Sequence, residues 1–564
     1  ADDLVGAYKP HEYGLVILPM TVIKRFHDCL LPTHQAVLDT YKKVEKLAVK
    51  DGFLRKASGY QFYNTSPFTF KTLIADPENI VDNFKAYLNG FSDNIQDILA
   101  RMDFDSQIKH MEEAGLLYQV ISDFCTDKGD FSPEKISAVD MGYVFENLVR
   151  RFSESYNEEA GAHFTSRDII YLMSDLLVAG DESAFTGDGI SKTVYDMTMG
   201  TSQMLTCMEE RLKQMDADAD VTVFGQEFNP FTFGIAKADM LIRGGDPNNM
   251  QFGDTLSDDK FSGYKFDYII SNPPFGIPWK REEKEVTAEY KKGTAGRFAP
   301  GLPAKGDGQL LFMLNGLAKL KDDGQMAIIQ NGSSLFNGDA GSGPSEIRRY
   351  LIENDWLDAI VHAFYNTPIA TYIWIVMKNK PVTHQGKVQL IDASACASSR
   401  RKNIGEKKVD ITKACRDLII EAYGAYVNDT YNGVDENNNT IVVKSKVMDA
   451  VDLGYNKIVV ETPQFDEDGN VIMKKKKPVA DTSKRDTENV PLAEDIDDYF
   501  EREVIPYNPQ AWIDKSKTKV GYEIPFTRTF YEYKQIEPSD VIAARIEEHE
   551  KSLMAKLHDL FGGE

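Results

Sequence analysis

Asn272-Pro273-Pro274-Phe275, at the end of the strand-forming run Phe266 to Ser271, is the stretch whose residue types and spacing can do chemistry. The run reads as a buried strand that delivers a turn to the end of a sheet, and two prolines fix the backbone of that turn. The amide oxygen of Asn272 and the carbonyl of Pro273 are two acceptors able to converge on one planar amine, with Phe275 beside them as a stacking surface. Such a set suits an exocyclic amino group on an aromatic base. A strand ending in Asn-Pro is also an ordinary turn signal, so the surrounding residues decide between the two.

Four features upstream bear on that choice. Thr165 and Ser166 stand just before the apolar-periodic run Ile169 to Leu177, which puts their hydroxyls and backbone amides at a helix N-terminus, where an anionic group can bind; plain helix capping is the bland alternative. Asp196 to Ser202 follows a strand and opens a helix, and Gly200 lets the backbone approach a ligand closely. Glu227, after Gly225-Gln226, ends a second strand, where an acid can accept hydrogen bonds from both hydroxyls of a ribose. Asp254, after Gly253, can accept from the amine of an adenine ring. Each acid alone is more often a cap or a surface residue. Their order ahead of Asn272 makes coincidence a poor explanation.

The elements that must position these residues read as two regions. From Tyr8 to about Gly129 apolar residues recur at helical spacing, with Asp76-Pro77-Glu78 and Ser92-Asp93 as helix starts. Ser132-Pro133-Glu134 is expected to cap the first helix of a new region. From Lys192 short β-rich runs alternate with helices: Thr193 to Asp196, Val221 to Gly225, Phe266 to Ser271, Gln325 to Gln330, Leu357 to His362 and Thr371 to Met377. The expectation is an α/β fold with a mainly parallel sheet and ligands at the carboxyl ends of its strands. Ile277 to Gly306, polar and carrying seven cations, is expected to be a mobile cover able to contact phosphates. After Pro538, Ile542, Ile546, Leu553, Leu557 and Leu560 form the stripe of an amphipathic helix.

Composition narrows the function classes. A net charge of -24 is unfavourable for a chain that must grip nucleic acid unaided, so a DNA substrate needs a second protein to help hold it. Five scattered cysteines without a Cys-x-x-Cys pair imply no zinc site, no metal, and a reducing cytoplasm. No apolar run reaches the length that crosses a bilayer, so no membrane contact is expected. Gly338 to Gly343 lacks the Gly-Lys-Ser/Thr ending of a phosphate loop. Because the first residue is Ala1, the true start is expected to lie upstream.

In this order the residues resemble an amino-methyltransferase using S-adenosylmethionine, and Phe164-Thr165, then Asp196 and Gly200, then Asn272 to Phe275 is similar to the gamma-type adenine methylases. More narrowly, the chain resembles the modification subunit of type I restriction-modification systems. That match rests on Tyr143 to Phe152, Gly308 to Phe312, Phe364 to Thr367 with Thr371 to Trp374, Arg485 to Leu492 and Tyr522 to Arg528, and it spans nearly the whole chain. The resemblance implies a helical N-terminal domain at 1–130, a Rossmann-like methyltransferase domain at 131–380, a mixed C-terminal extension at 381–537 and a subunit-contact helix at 538–564. It implies that Phe164, Thr165, Asp196, Gly200, Thr201, Ser202, Glu227, Asp254 and Asn272 hold S-adenosylmethionine, while Asn272, Pro273, Pro274 and Phe275 act on an adenine flipped out of duplex DNA. Its implied partners are a specificity subunit, met through the C-terminal helix and the N-terminal domain, a restriction subunit and a second copy of this chain. Two departures stand out: Met197 and Ser202 occupy places where these enzymes carry proline and glycine, which bears on cofactor affinity, and the loop between Val361 and Phe364 is short. A catalytically idle methylase-like scaffold and a protein glutamine methyltransferase are the alternatives.

Overall fold

A computed structural model describes residues 2–155, 165–180, 185, 189–363, 370–404, 407–475, 477–533 and 537–561. The chain divides into two compact units, Ala1–Ile524 and Pro525–Glu564.

The first unit begins with helices. Tyr13–Leu30, Ile80–Asn89, Asp93–Arg101, Phe104–Glu113 and Leu117–Phe124 bury a cluster that includes Phe26, Phe62, Phe84, Phe91 and Phe104. The helix starts at Pro77 and Ser92 are as the sequence implies, with Gly90 ending the intervening helix. Ser132-Pro133 opens a turn instead of a helix, and the helix Ala138–Ser155 starts later. The reason is a second cap: Ser137 Oγ accepts the Asp140 N–H at 3.1 Å, while Arg25 holds the carbonyls of Phe131 and Ile136 and turns the chain between them.

The sheet contains ten strands: β1 (Ser191–Asp196), β2 (Asp220–Glu227), β3 (Met250–Phe252), β4 (Phe266–Ser271), β5 (Leu320–Asn331), β6 (Leu357–His362), β7 (Thr371–Met377) and β8 (Lys387–Asp392), then, after the separate hairpin β9 (Ser398–Ile404) and β10 (Lys407–Asp410), β11 (Asp429–Val434) and β12 (Thr440–Asp449). Their spatial order is β11-β12-β8-β6-β7-β5-β4-β1-β2-β3. From β3 to β5 every pairing is parallel, so the carboxyl ends of β1, β2, β3 and β4 share one edge. β7 runs antiparallel to both β5 and β6, which the sequence pattern gave no means to foresee. β8 and β12 carry the sheet across residue 380.

The strands are apolar because helices cover them. Arg167–Val178 and Gln203–Met215 bury Ile170, Met173, Leu177, Leu205 and Met208 against Val194, Tyr268 and Ile270. The helix Pro230–Arg243 faces both ways: Phe233, Ala236 and Met240 belong to the sheet's core and Ile235, Ala238 and Leu241 to the N-terminal helices. The ion pair of Lys237 with Asp97 at 3.0 Å reinforces that junction. A four-stranded sheet of Gly454–Glu461, Asp486–Pro491, Trp512–Ile513 and Lys519–Tyr522 follows, and Arg348, buried, ties it down by donating to the carbonyls of Tyr522, Ser334 and Asn337.

In the second unit the helix Ser539–Phe561 leaves Ile546, Leu553, Met554 and Leu557 exposed. Among the described residues, no helix is long and apolar enough to cross a membrane.

Candidate active site

At the shared edge of β1 to β4 lies a cavity of about 420 Å³. Thr165, Asp196, Gly200, Thr201, Glu227, Asp254, Asn272 and Pro274 line it, so residues separated by more than a hundred positions meet at one place. Pro273 is buried and Phe275 half-buried against the main core, and neither lines the cavity; nor does Ser202. Phe164 lies outside the described residues.

The turn after β1 is built by backbone geometry. Gly200 has φ 54° and Ser202 φ 68°, both left-handed, where glycine is favoured and serine is strained. The chain therefore follows a glycine-type course at Ser202 despite the substitution. Met199 N–H donates to Gln226 O at 3.0 Å, and this contact presses the turn onto β2, where a Cβ on Gly225 would lie 2.2 Å from Met199 Sδ. Met197 is buried, its Sδ accepting from Asn315 Nδ2 at 3.4 Å and its carbonyl from Thr255 Oγ1 at 2.5 Å.

Each acid is placed by hydrogen bonds of its own. Glu227 Oε2 accepts from Gly200 N–H at 2.8 Å and Oε1 from Asn229 N–H at 2.7 Å, so this carboxylate joins the first turn to the second strand end. A carboxylate has about four acceptor sites, so it can serve more than one donor at once. Asp254 Oδ1 caps its turn through the N–H groups of Leu256 and Ser257, at 2.8 and 2.9 Å, leaving Oδ2 as the acceptor available to a ligand. Asp196 Oδ1 accepts from Ser271 Oγ at 2.7 Å and from Thr198 N–H at 3.0 Å. Burial pushes its carboxyl up to about 7, and the nearby Glu227 charge adds to the rise against those two hydrogen bonds.

Asn272 Nδ2 donates to Thr165 Oγ1 at 2.9 Å. The partner loop is held firmly: Ser166 is the N-cap of Arg167–Val178, and Arg167 pairs with Glu146 while its guanidinium sits 3.4 Å from the ring centre of Tyr143.

Several lining residues carried no sequence signal of their own. Phe228 and Arg281 stack at 5.3 Å on the rim, and Met199, Leu256 and Ile277 supply apolar wall. Glu146 and Glu282 add to Asp196, Glu227 and Asp254, against Arg281 as the one lining cation among the described residues, so the cavity suits a positively charged ligand. Glu146 fell inside a recognised stretch without a role; Phe228 had only its position after Glu227 to mark it.

The stretch 277–306 is pinned where a mobile cover was expected. Trp279 is buried and donates Nε1–H to Ala304 O, and Arg297, half-buried, donates to Thr255 O, Leu256 O, Asn315 Oδ1 and Glu289. Arg297 is thus taken up internally and is withdrawn from any phosphate. None of the five cysteines lines the cavity, and burial pushes the Cys207 thiol up to about 12, which removes it as a nucleophile.

Comparison with known proteins agrees with this architecture. A family model described as N-6 DNA Methylase matches residues 137–461, and one described as HsdM N-terminal domain matches residues 1–124. The chain is similar to the type I restriction enzyme MjaIX methylase subunit of Methanocaldococcus jannaschii, 26% identical over 272 residues, covering 47% of this chain and 46% of that one. It is also similar to the type I restriction enzyme HindI methylase subunit of Haemophilus influenzae, 28% identical over 268 residues, covering 46% and 56%. The matches therefore span about half the length of these relatives. Among solved structures, a type I restriction-modification system methyltransferase subunit from Streptococcus thermophilus superposes with a TM-score of 0.60 at 21% identity, covering 80% of this chain and 94% of the other.

Proposed function

The chain belongs to the N-6 DNA methylase family, and from that premise we propose that it transfers a methyl group from S-adenosylmethionine to the exocyclic amine of adenine in duplex DNA, as the methylating subunit of a cytoplasmic type I restriction-modification complex. The observation that carries the reading is the meeting of Asn272 with Gly200, Glu227 and Asp254 in one acidic cavity. About 420 Å³ falls within the roughly 300 to 1,000 Å³ range of cavities that hold ligands of this size, and the excess of carboxylates suits a cationic sulfur. When bound, S-adenosylmethionine supplies an activated methyl carbon. The residues of this chain that would hold it are Gly200 and Thr201 through backbone, Glu227 at the ribose and Asp254 at the adenine ring.

The amine of adenine is a weak nucleophile because its lone pair is delocalised into the ring. Asn272 Oδ1 and Pro273 O accept its two hydrogens and favour a tetrahedral nitrogen, which frees the lone pair to point away from the ring plane. Phe275 stacks on the flipped base. Catalysis on this reading is orientation and electrostatics, without a covalent enzyme intermediate. A net charge of -24 leaves DNA to be gripped with the help of a specificity subunit, for which the exposed stripe of Ser539–Phe561 and the N-terminal helices are the proposed contacts. A restriction subunit and a second copy of this chain complete the proposed complex.

The test is transfer of a tritiated methyl group. The chain, co-purified with its specificity partner, should place the label in N6-methyladenine of duplex DNA, and Asn272→Ala should abolish that label while cofactor binding persists. Label in protein, or none in DNA from a complex that binds the cofactor, overturns the reading.

A further inference from the structure

The hydrogen bond between Asn272 and Thr165 assigns Thr165 a task distinct from gripping the cofactor. We infer that Thr165 is the positioning residue for the Asn272 amide: it receives one end of the amide so that the other end, the oxygen, is presented to the substrate amine. The inference rests on the reaction proposed above, in which that amine offers hydrogens only.

An asparagine amide has unlike ends, and only its oxygen can accept. With the oxygen turned to the substrate, Nδ2 must find an acceptor in the wall, and Thr165 Oγ1 stands 2.9 Å from it. A hydroxyl can serve either way, as donor or acceptor. The donor-only substrate therefore selects the arrangement in which Asn272 presents oxygen and Thr165 accepts.

The hydroxyl can do this because the residues that follow it are fixed. Ser166, buried and next in the chain, caps the helix Arg167–Val178, with its carbonyl accepting from the N–H groups of Ile169 and Ile170. Arg167 is clamped between Glu146 and the ring of Tyr143, and Asp168 Oδ2 accepts the Ile411 N–H at 2.8 Å. Asn272 comes from the other side, held at the end of β4 by the buried Pro273 that follows it. Thr165 thus couples the start of the helix Arg167–Val178 to the strand end that carries the acceptors.

Thr165→Val keeps the shape of the side chain and removes the acceptor; Thr165→Ser keeps the acceptor. The assay is the single-turnover methyl-transfer rate of the complete complex at saturating S-adenosylmethionine and DNA, beside the cofactor dissociation constant of each variant. Thr165→Val should lower the rate about ten- to a hundred-fold, the factor expected when the hydrogen bond that orients the amide is lost, with cofactor affinity within about three-fold of wild type. Thr165→Ser should restore the rate. A fall in affinity with an unchanged rate overturns the inference and makes Thr165 a cofactor residue. Equal rates for all three proteins, or a Thr165→Ser complex as slow as Thr165→Val, overturn it too. If the wild-type complex transfers nothing to DNA, the proposed reaction fails first, and this inference with it.

Discussion

Replacing Glu227 with glutamine is the sharpest probe of how the cavity is built. In the structure one carboxylate oxygen receives the Gly200 N–H and the other the Asn229 N–H, at 2.8 and 2.7 Å. Glutamine preserves length and volume but has one acceptor, so its NH2 end must confront one of those two backbone donors. That donor loses a charge-assisted bond, typically about 1.5 to 3 kcal/mol, and the ribose hydroxyls lose a charged acceptor. Since both effects act on one side chain they do not simply add, and a net loss of about 2 to 3 kcal/mol in cofactor binding is expected, or roughly thirty- to 150-fold in dissociation constant. Titration calorimetry with S-adenosylmethionine on wild type, Glu227→Gln and Glu227→Ala measures it directly. Glu227→Gln should be about as damaging as Glu227→Ala, because the lost property is the paired acceptor and not the volume. A Glu227→Gln protein that binds within three-fold of wild type would refute both the clamp and the ribose assignment.

Other outcomes follow from the same geometry. In Asp196→Asn the single accepting oxygen of Asp196 is replaced by an amide oxygen that can take the same Ser271 and Thr198 bonds. Because the folded state raises the Asp196 carboxyl from the usual range to about 7, the native chain binds that proton more tightly than the unfolded chain, so its contribution to stability is full below about pH 4 and is lost as pH rises through about 7. Asp196→Asn should therefore gain on wild type over that window, on the order of 4 kcal/mol above pH 8, in urea unfolding followed against pH. Ser202→Gly should stabilise the chain by about 0.5 to 1 kcal/mol, since relief of roughly 1 to 2 kcal/mol of left-handed strain exceeds the entropy added to the unfolded state; a lower unfolding midpoint would contradict it. Arg297→Ala should loosen the stretch 277–306 by about 3 to 5 kcal/mol, because Glu289 is left without its partner and two carbonyls without their donor, and hydrogen exchange over that stretch reports the change.

Which parts of this molecule were legible in the sequence has a physical explanation. Phe266–Ser271, Leu357–His362 and Thr371–Met377 are strands residue for residue as expected, because a strand covered on both faces reads as a mostly apolar run, here broken inside only by Asp267 and Asp358. The direction of β7 was not legible, since apolar runs carry no sign of polarity along the chain, and β3 is three residues long, too short for a pattern. β8 and β12 alternate with polar residues and fall in the stretch after 381 that reads in sequence only as a mixed extension. At the site, Glu227 and Asn272 could be picked out because each stands at a strand end, Gly200 because it lies in the turn after a strand, and Asp254 only by its place after Gly253 in the ordered set; the parallel sheet then gathers them. What escaped were residues whose role depends on a distant partner. Arg297 reads as surface charge and is an internal brace; Thr165 reads as a cap or a cofactor contact and is hydrogen-bonded to Asn272, far along the chain. Ser202 looked like a defect in a glycine turn, yet the backbone takes the left-handed course there regardless.

The central claim is that Asn272 directs methylation of adenine in DNA, and base modification in a living host tests it most directly. Genomic DNA from a methylation-free host would be read by long-read sequencing after expression of the chain alone, of the chain with its neighbouring genes, and of the Asn272→Ala chain with those genes. N6-methyladenine is expected at a defined, two-part site only when the wild-type chain and its neighbours are present together. Absence of methyladenine from all three samples, with the complex assembled and soluble, would contradict it, as would methylation that survives Asn272→Ala.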